Sequence, residues 1–281
     1  MAKRIEESMK TILITGCSSG IGYATAKLLK ESGWRVIASC RKQVDIDRLQ
    51  SEGFECIQLD VQDSAQIAQA FEYIKASGGL DAVFCNAGQG QPGCVEDLPR
   101  EALRELFETN VFGVWEVMNH ALKIFRAQNH GRILLTSSIL GFAAMHFRGA
   151  YNASKFAVEG MADTLRHELH GSNIYVSLIE PGPILSDFRS NSLDKLTKYI
   201  DVEHTAKTAF NQKQYQRLAT KKNDNPFAKP ASAVAEACLK ALSDSKPKAR
   251  YQVTFPTKLF WWLRRMLPTT WFDFVCRKSG G

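Results

Sequence analysis

Thr11-Ile12-Leu13-Ile14-Thr15 is a β-branched run that halts at Gly16, and a helical apolar pattern opens at Ile21 and runs to Ser32, with Gly33 as its expected cap. Between strand and helix the glycines are spaced Gly16-x-x-x-Gly20-x-Gly22. Glycine lets the backbone bend sharply and approach a ligand, and free N–H groups at a helix start favour negative charge. A strand-turn-helix of this kind predicts a dinucleotide cradle in which Gly16, Ser18, Ser19, Gly20, Ile21 and Gly22 meet the pyrophosphate. A purely structural turn is the weaker alternative.

The alternation then repeats. Residues 34–39, 54–59 and 80–85 read as strands with helical stretches between them; 100–126 reads as one long helix and 131–136 as a strand ending at Ser137-Ser138. Residues 151–170 are again helical and capped by Gly171, and 174–179 form a strand ending at Pro181-Gly182-Pro183. With 281 residues, no internal repeat and no Gly/Ser linker, this predicts an α/β fold. It is a single-domain, Rossmann-like, doubly wound parallel sheet flanked by helices. We expect the catalytic domain over 1–250, with residues 1–9 as a frayed extension.

Two stretches depart from the pattern. Residues 184–228 are polar, lysine-rich and less regular, an insertion where the strand ends would bind ligand, and so a candidate substrate lid; a solvated excursion is the alternative. Pro230-Ala231-Ser232 opens another helix ending near Ser243. The tail, 251–281, reads as amphipathic: Leu259, Trp262, Leu263, Met266 and Leu267 follow helical spacing beside Lys258, Arg264 and Arg265, and Pro268 ends the run. It is too short to cross a bilayer. Residues 255–275 suit a membrane interface or a greasy substrate entrance, and equally a helix docked on the protein itself or on a second subunit.

Seven cysteines, odd in number, scattered and never in Cys-x-x-Cys, predict neither a disulfide framework nor a zinc site, and fit a reducing cytoplasm. His167 and His170 share a helix turn but have no cysteine or carboxylate set to complete a metal site. The start mixes both charge signs and leads into no apolar run, so it is not expected to act as a secretory signal. The net charge of +7 is spread along the chain without a nucleic-acid motif, and is read as help for a phosphate-rich cofactor or anionic lipid.

Tyr151 and Lys155 stand four apart, on one face of their helix. An unperturbed tyrosine titrates near pH ~10, and a fixed cation beside it is expected to lower that value toward the working range. Such a pair alone is common on helix surfaces; with Ser138 and the glycine turn upstream it predicts nicotinamide-dependent carbonyl/alcohol redox chemistry. After the second strand, Ser39-Cys40-Arg41-Lys42 lacks the carboxylate that commonly reads the ribose hydroxyls of NAD. Arg41, with Lys42 in support, is instead expected to pair with the 2′-phosphate of NADP.

Gly16-x-x-x-Gly20-x-Gly22, Asn86-Ala87-Gly88, Asn110, Ser138 and Tyr151-x-x-x-Lys155 together resemble the short-chain dehydrogenase/reductase family, from about Lys10 to Pro183. The remainder looks most like its bacterial aldehyde-reductase and hydroxysteroid/retinol-dehydrogenase-like members. The resemblance implies that Ser138 hydrogen-bonds the substrate oxygen, Tyr151 delivers the proton, and Lys155 holds the nicotinamide ribose. Asn110 would anchor a relay water. Asp60 and Val61 would meet the adenine, Asn86, Ala87 and Gly88 the adenosine ribose, and Pro181, Gly182 and Ile184 the nicotinamide. It further implies a homodimer or homotetramer.

Two positions depart from the family pattern: Cys85 stands for an asparagine and Ser186 for a threonine. The expected function is NADP(H)-dependent hydride transfer to a lipophilic aldehyde, ketone, retinoid or steroid. A redox-silent NADP sensor and a membrane-associated lipid or retinol dehydrogenase stand as alternatives.

Overall fold

A computed structural model describes residues 9–220 and 225–279. The extension expected at the start, apart from Met9, and residues 221–224 of the lid stretch lie outside the described residues. Seven parallel strands form the central sheet: β1 (Thr11–Ile14), β2 (Arg35–Cys40), β3 (Glu55–Gln58), β4 (Ala82–Cys85), β5 (Gly131–Thr136), β6 (Ile174–Glu180) and β7 (Arg250–Gln252). Their order is β3-β2-β1-β4-β5-β6-β7. The strand order reverses between β1 and β4, and a crevice opens there at the carboxyl ends.

Side chains that alternate along each strand feed two cores. Leu13, Ile37, Val83, Ile133 and Leu135 pack under α3 (Ser64–Ala76), α5 (Gly113–Gln128) and α6 (Gly149–Glu168). Ile12, Ile14, Val36, Phe84 and Leu134 face α1 (Gly20–Glu31), α2 (Gln43–Ser51) and α9 (Ser232–Ser243). Burial on both faces explains why these strands read as continuous apolar runs. Asp63 caps α3, its carboxylate accepting from Ala65 N and Gln66 N.

The long helix expected over 100–126 is three pieces: α4 (Arg100–Phe107), a π turn (Glu108–Phe112), then α5. The lid stretch is more regular than expected. It contains α7 (Phe188–Tyr199) and α8 (Thr208–Ala219), and its ends pair as Ile184↔Lys229 and Leu185↔Pro230. The domain boundary expected after residue 250 falls inside β7, so the tail begins in the sheet.

Two helices follow, α10 (Phe255–Met266) and α11 (Thr269–Ser279). The expected stripe on α10 divides between two environments. Leu263 and Leu267 pack toward a cluster with buried Phe260 and Phe272, whereas Leu259, Trp262 and Met266 are exposed. Among the described residues no helix is long and apolar enough to cross a membrane.

Candidate active site

One cleft of about 1670 Å³ runs along the carboxyl ends of β1, β4, β5 and β6. Every sequence-predicted site residue except Gly22 and Asn110 lines it. Its volume exceeds the range of roughly 300–1,000 Å³ usual for a single small ligand, so nucleotide and substrate can share it.

At the β1 end the backbone at Gly16 has φ +73°, and an added Cβ would stand 2.9 Å from Ala87 Cα. Gly22 lies behind the cleft wall, where a Cβ would come within 2.1 Å of the Gly16 carbonyl oxygen. Both glycines are therefore required by close approach, and the turn is locked to the end of β4. Thr15 Oγ1 accepts from Asn86 N and Ala87 N, each at 3.0 Å, while Asn86 Nδ2 donates to the carbonyls of Thr15 (3.0 Å) and Gly16 (3.1 Å). Arg41 and Lys42 line the cleft at the end of β2.

Sequence reasoning passed over two neighbours there. Arg48 Nη2 donates to the Ser18 carbonyl at 2.6 Å, and Asp45 lines the same wall. Their helical spacing after Arg41 was the available signal, since Asp45 and Arg48 stand one turn apart on α2.

Asn110 is fully buried in the π turn. Its Oδ1 accepts from Gln89 N at 2.9 Å, and its Nδ2 donates to Gln89 O (2.9 Å) and Ser154 Oγ (3.1 Å). The side chain is thus a clasp between the loop after β4 and α6. Gly88 completes the corner, because a Cβ there would meet Asn110 Oδ1 at 3.4 Å and Lys155 Nζ at 3.8 Å.

Ser138 stands at the end of β5, its hydroxyl accepting from Leu140 N at 3.1 Å. Lys155 Nζ lies 5.6 Å from the Tyr151 ring centre and donates to the Thr136 carbonyl at 2.7 Å. Burial pulls Lys155 down to about 8, with Glu159 opposing. The expectation that Lys155 makes Tyr151 acidic is corrected here. Burial raises the Tyr151 phenol well above its ordinary value, and the group that pulls it back is the Ser138 hydroxyl. A phenol that stays protonated at neutral pH is suited to giving a proton.

Glu159, one turn after Lys155, accepts from the Ser137 hydroxyl and from Arg250 Nη2 at 2.9 Å. Residues of the 184–228 stretch wall the far side. Phe188 meets the Tyr151 ring edge-on, with centres 5.5 Å apart. Glu105 of α4 holds α7 through Lys195, Lys198 and Tyr199, and Asn211 Nδ2 of α8 donates to Asp97 at 2.8 Å.

The seven cysteines are free and buried, and burial pushes the Cys85 thiol at the end of β4 up to about 12. Ser186 lines the cleft beside Gly20. His167 and His170 are exposed, and among the described residues no group of His, Cys, Asp or Glu side chains could hold a metal ion.

Residues 10–197 match the family model for the short chain dehydrogenase. The chain belongs to the short-chain dehydrogenase family. It is 36% identical over 273 residues to the uncharacterized oxidoreductase YbbO of Escherichia coli, covering 95% of this chain and 93% of that one. It is 34% identical over 268 residues to human 17-beta-hydroxysteroid dehydrogenase type 1, covering 91% and 80%.

Among solved structures, a short-chain dehydrogenase/reductase from Burkholderia phymatum in complex with NAD superposes with TM-score 0.76 at 25% identity, covering 96% of this chain and 95% of that one. Other short-chain dehydrogenase folds hold NADP. As a short-chain dehydrogenase, the protein is an oxidoreductase whose fold serves a nicotinamide cofactor, and the glycine-lined cleft fits such a group.

Proposed function

We propose that this protein is an NADP(H)-dependent reductase of aldehydes or ketones carrying an apolar body. The observation that carries the reading is the convergence of Ser138, Tyr151 and Lys155 on one cleft whose other end bears Arg41 and Lys42. The glycine turn would hold the pyrophosphate, Asp60 and Val61 the adenine, Asn86, Ala87 and Gly88 the adenosine ribose, and Pro181, Gly182 and Ile184 the nicotinamide. Arg41 and Lys42 would hold the 2′-phosphate. NADPH held there would supply the hydride, a proton with two electrons, that the carbonyl carbon takes up.

The chain's own side chains do the rest. Ser138 donates a hydrogen bond to the carbonyl oxygen as negative charge develops there. Tyr151 passes its phenolic proton to that oxygen, leaving the alcohol, and the Lys155 ammonium would hold the nicotinamide ribose beside it. Asn110 keeps Gln89 and α6 in register beneath them.

A redox-silent sensor has no use for this set of groups, which supports the enzyme reading. The deciding experiment is NADPH consumption across aldehydes, retinoids and steroids. Turnover of at least one class supports the reading, and tight NADPH binding with no turnover of any class would favour the sensor.

The tail supports peripheral contact with an anionic membrane surface. Phe255, Leu259, Trp262, Met266, Trp271 and Phe274 are exposed beside Lys258, Arg277 and Lys278, and Phe255 and Leu259 also line the cleft. Co-sedimentation with phosphatidylserine vesicles, lost on Trp262→Ser with Trp271→Ser, tests it; equal recovery of both proteins would remove it. Exposed Leu103, Phe112, Trp115 and Phe156 on the segments bearing Asn110 and Tyr151 support pairing with a second copy.

A further inference from the structure

The lid end of the cleft carries three arginines. Arg148 immediately precedes α6, one helical turn ahead of Tyr151; Arg189 lies in the first turn of α7 and Arg217 in the last turn of α8. All three line the cleft that holds Tyr151 and Ser138. They lie close enough to oppose one another's charge: burial, then Arg217, brings Arg148 down to about 10, and burial, then Arg189, lowers Arg217.

Arg148 Nη1 is engaged by the His146 carbonyl at 2.8 Å, and Arg148 and Arg189 have further contacts. Arg217 differs from them. Its Nε is sealed from solvent and has no hydrogen-bond partner among the described residues. Asp187 and Asp194 line the same cleft. The nearby Lys195 is already matched by Glu105.

A guanidinium donor buried without an acceptor is costly to a folded chain, and a planar oxyanion is the group that its fork of N–H donors fits. Phe147, Phe188 and Leu218 line the same cleft, Phe147 and Leu218 within one apolar cluster and Phe188 edge-on to Tyr151, so the cleft offers apolar surface as well as the arginines. We propose that the substrate is an amphiphile whose carbonyl meets Tyr151 and whose far end carries a carboxylate, held by Arg217 with Arg148 beside it. This deepens the reductase reading and rests on it for the position of the carbonyl. The same donors could instead serve an oxyanion of the cofactor's diphosphate, and the arms of the test separate the two sources.

The test uses the full chain and a length series of ω-oxo carboxylic acids with their methyl esters, all as substrates for NADPH consumption. For wild type we expect kcat/KM to favour the acid by at least about tenfold, one lost charge-assisted contact. That ratio should collapse toward one in Arg217→Met and recover in part in Arg217→Lys, which keeps the charge without the fork. Dissociation constants for NADPH, from fluorescence titration, should agree within about twofold between wild type and Arg217→Met.

An acid-to-ester ratio of one in wild type overturns the proposal. So does NADPH binding weakened at least about tenfold with equal loss on acid and ester, which assigns the arginines to the cofactor. Should no aldehyde be turned over, calorimetry with a simple alkanoate reads the acid site without chemistry. Tighter binding to wild type than to Arg217→Met upholds it, and equal binding overturns it.

Discussion

Asn110 Nδ2 donates to Ser154 Oγ at 3.1 Å, and the same hydroxyl donates to the Tyr151 carbonyl at 2.8 Å. The π turn and the helix bearing the phenol are therefore joined through one serine. Replacing Asn110 with leucine keeps the bulk but strands the Gln89 N–H and carbonyl, each buried donor or acceptor costing about 1–3 kcal/mol. We expect Asn110→Leu to lose roughly 2–4 kcal/mol in urea unfolding and at least about tenfold in kcat. Unchanged stability and turnover would show that the clasp is idle.

Lys155 gives a pH prediction. Its pKa is about 8 in the folded protein, below the ordinary 10.5, so its charge is present below pH 8 and lost above it. If that charge holds the nicotinamide ribose, kcat/KM for NADPH falls about tenfold per pH unit above the pKa. A profile flat from pH 7 to well above 9 contradicts this role.

How much of this was legible beforehand differs by element. The glycine turn, β5 and the 151–170 helix were readable because their signals are local: a β-branched run, a glycine at positive φ, an apolar face. The π turn was not, since Glu108–Phe112 continues the helical pattern of its neighbours and a slipped hydrogen bond leaves no composition mark. β7 was missed because three residues carry little pattern, and it is defined by Leu178, Ile179 and Glu180 far away in sequence. The lid helices are polar on most faces, with Leu196 and Asn211 among the few residues they bury. Tyr151 shows the sharpest divide: spacing disclosed its neighbouring cation, but only packing disclosed the burial that raises the phenol.

Arg41 tests cofactor choice. On the NADPH reading, Arg41→Asp would replace the proposed partner of the 2′-phosphate with a repelling carboxylate. The ratio of kcat/KM for NADPH over NADH should fall by about 100-fold or more, at up to 3 kcal/mol for a charged contact. An unchanged ratio would remove Arg41 from phosphate recognition.

Behind the site, Glu159, Glu180 and Asp163 surround the single Arg250 guanidinium. Glu180 is fully buried, and Arg250 Nε lies 3.0 Å from its Oε1 as an ion-pair contact without hydrogen-bond geometry. Burial and then Glu159 raise Glu180 to about 8. A raised carboxyl adds stability that is complete below its unfolded pKa near 4.5 and lost as pH rises through 8. Glu180→Gln should therefore gain Tm relative to wild type at pH 8.5 more than at pH 5, while Arg250 keeps Glu159 and Asp163. An equal difference at both pH values would place the pKa elsewhere.

The most direct measurement is Tyr151→Phe, assayed for turnover and for NADPH affinity on the same preparation. The account predicts turnover reduced by at least about a thousandfold, since the proton donor is gone, with the NADPH dissociation constant within about threefold of wild type. A variant that keeps most of its activity would contradict it, because no other group in the cleft is assigned to give that proton.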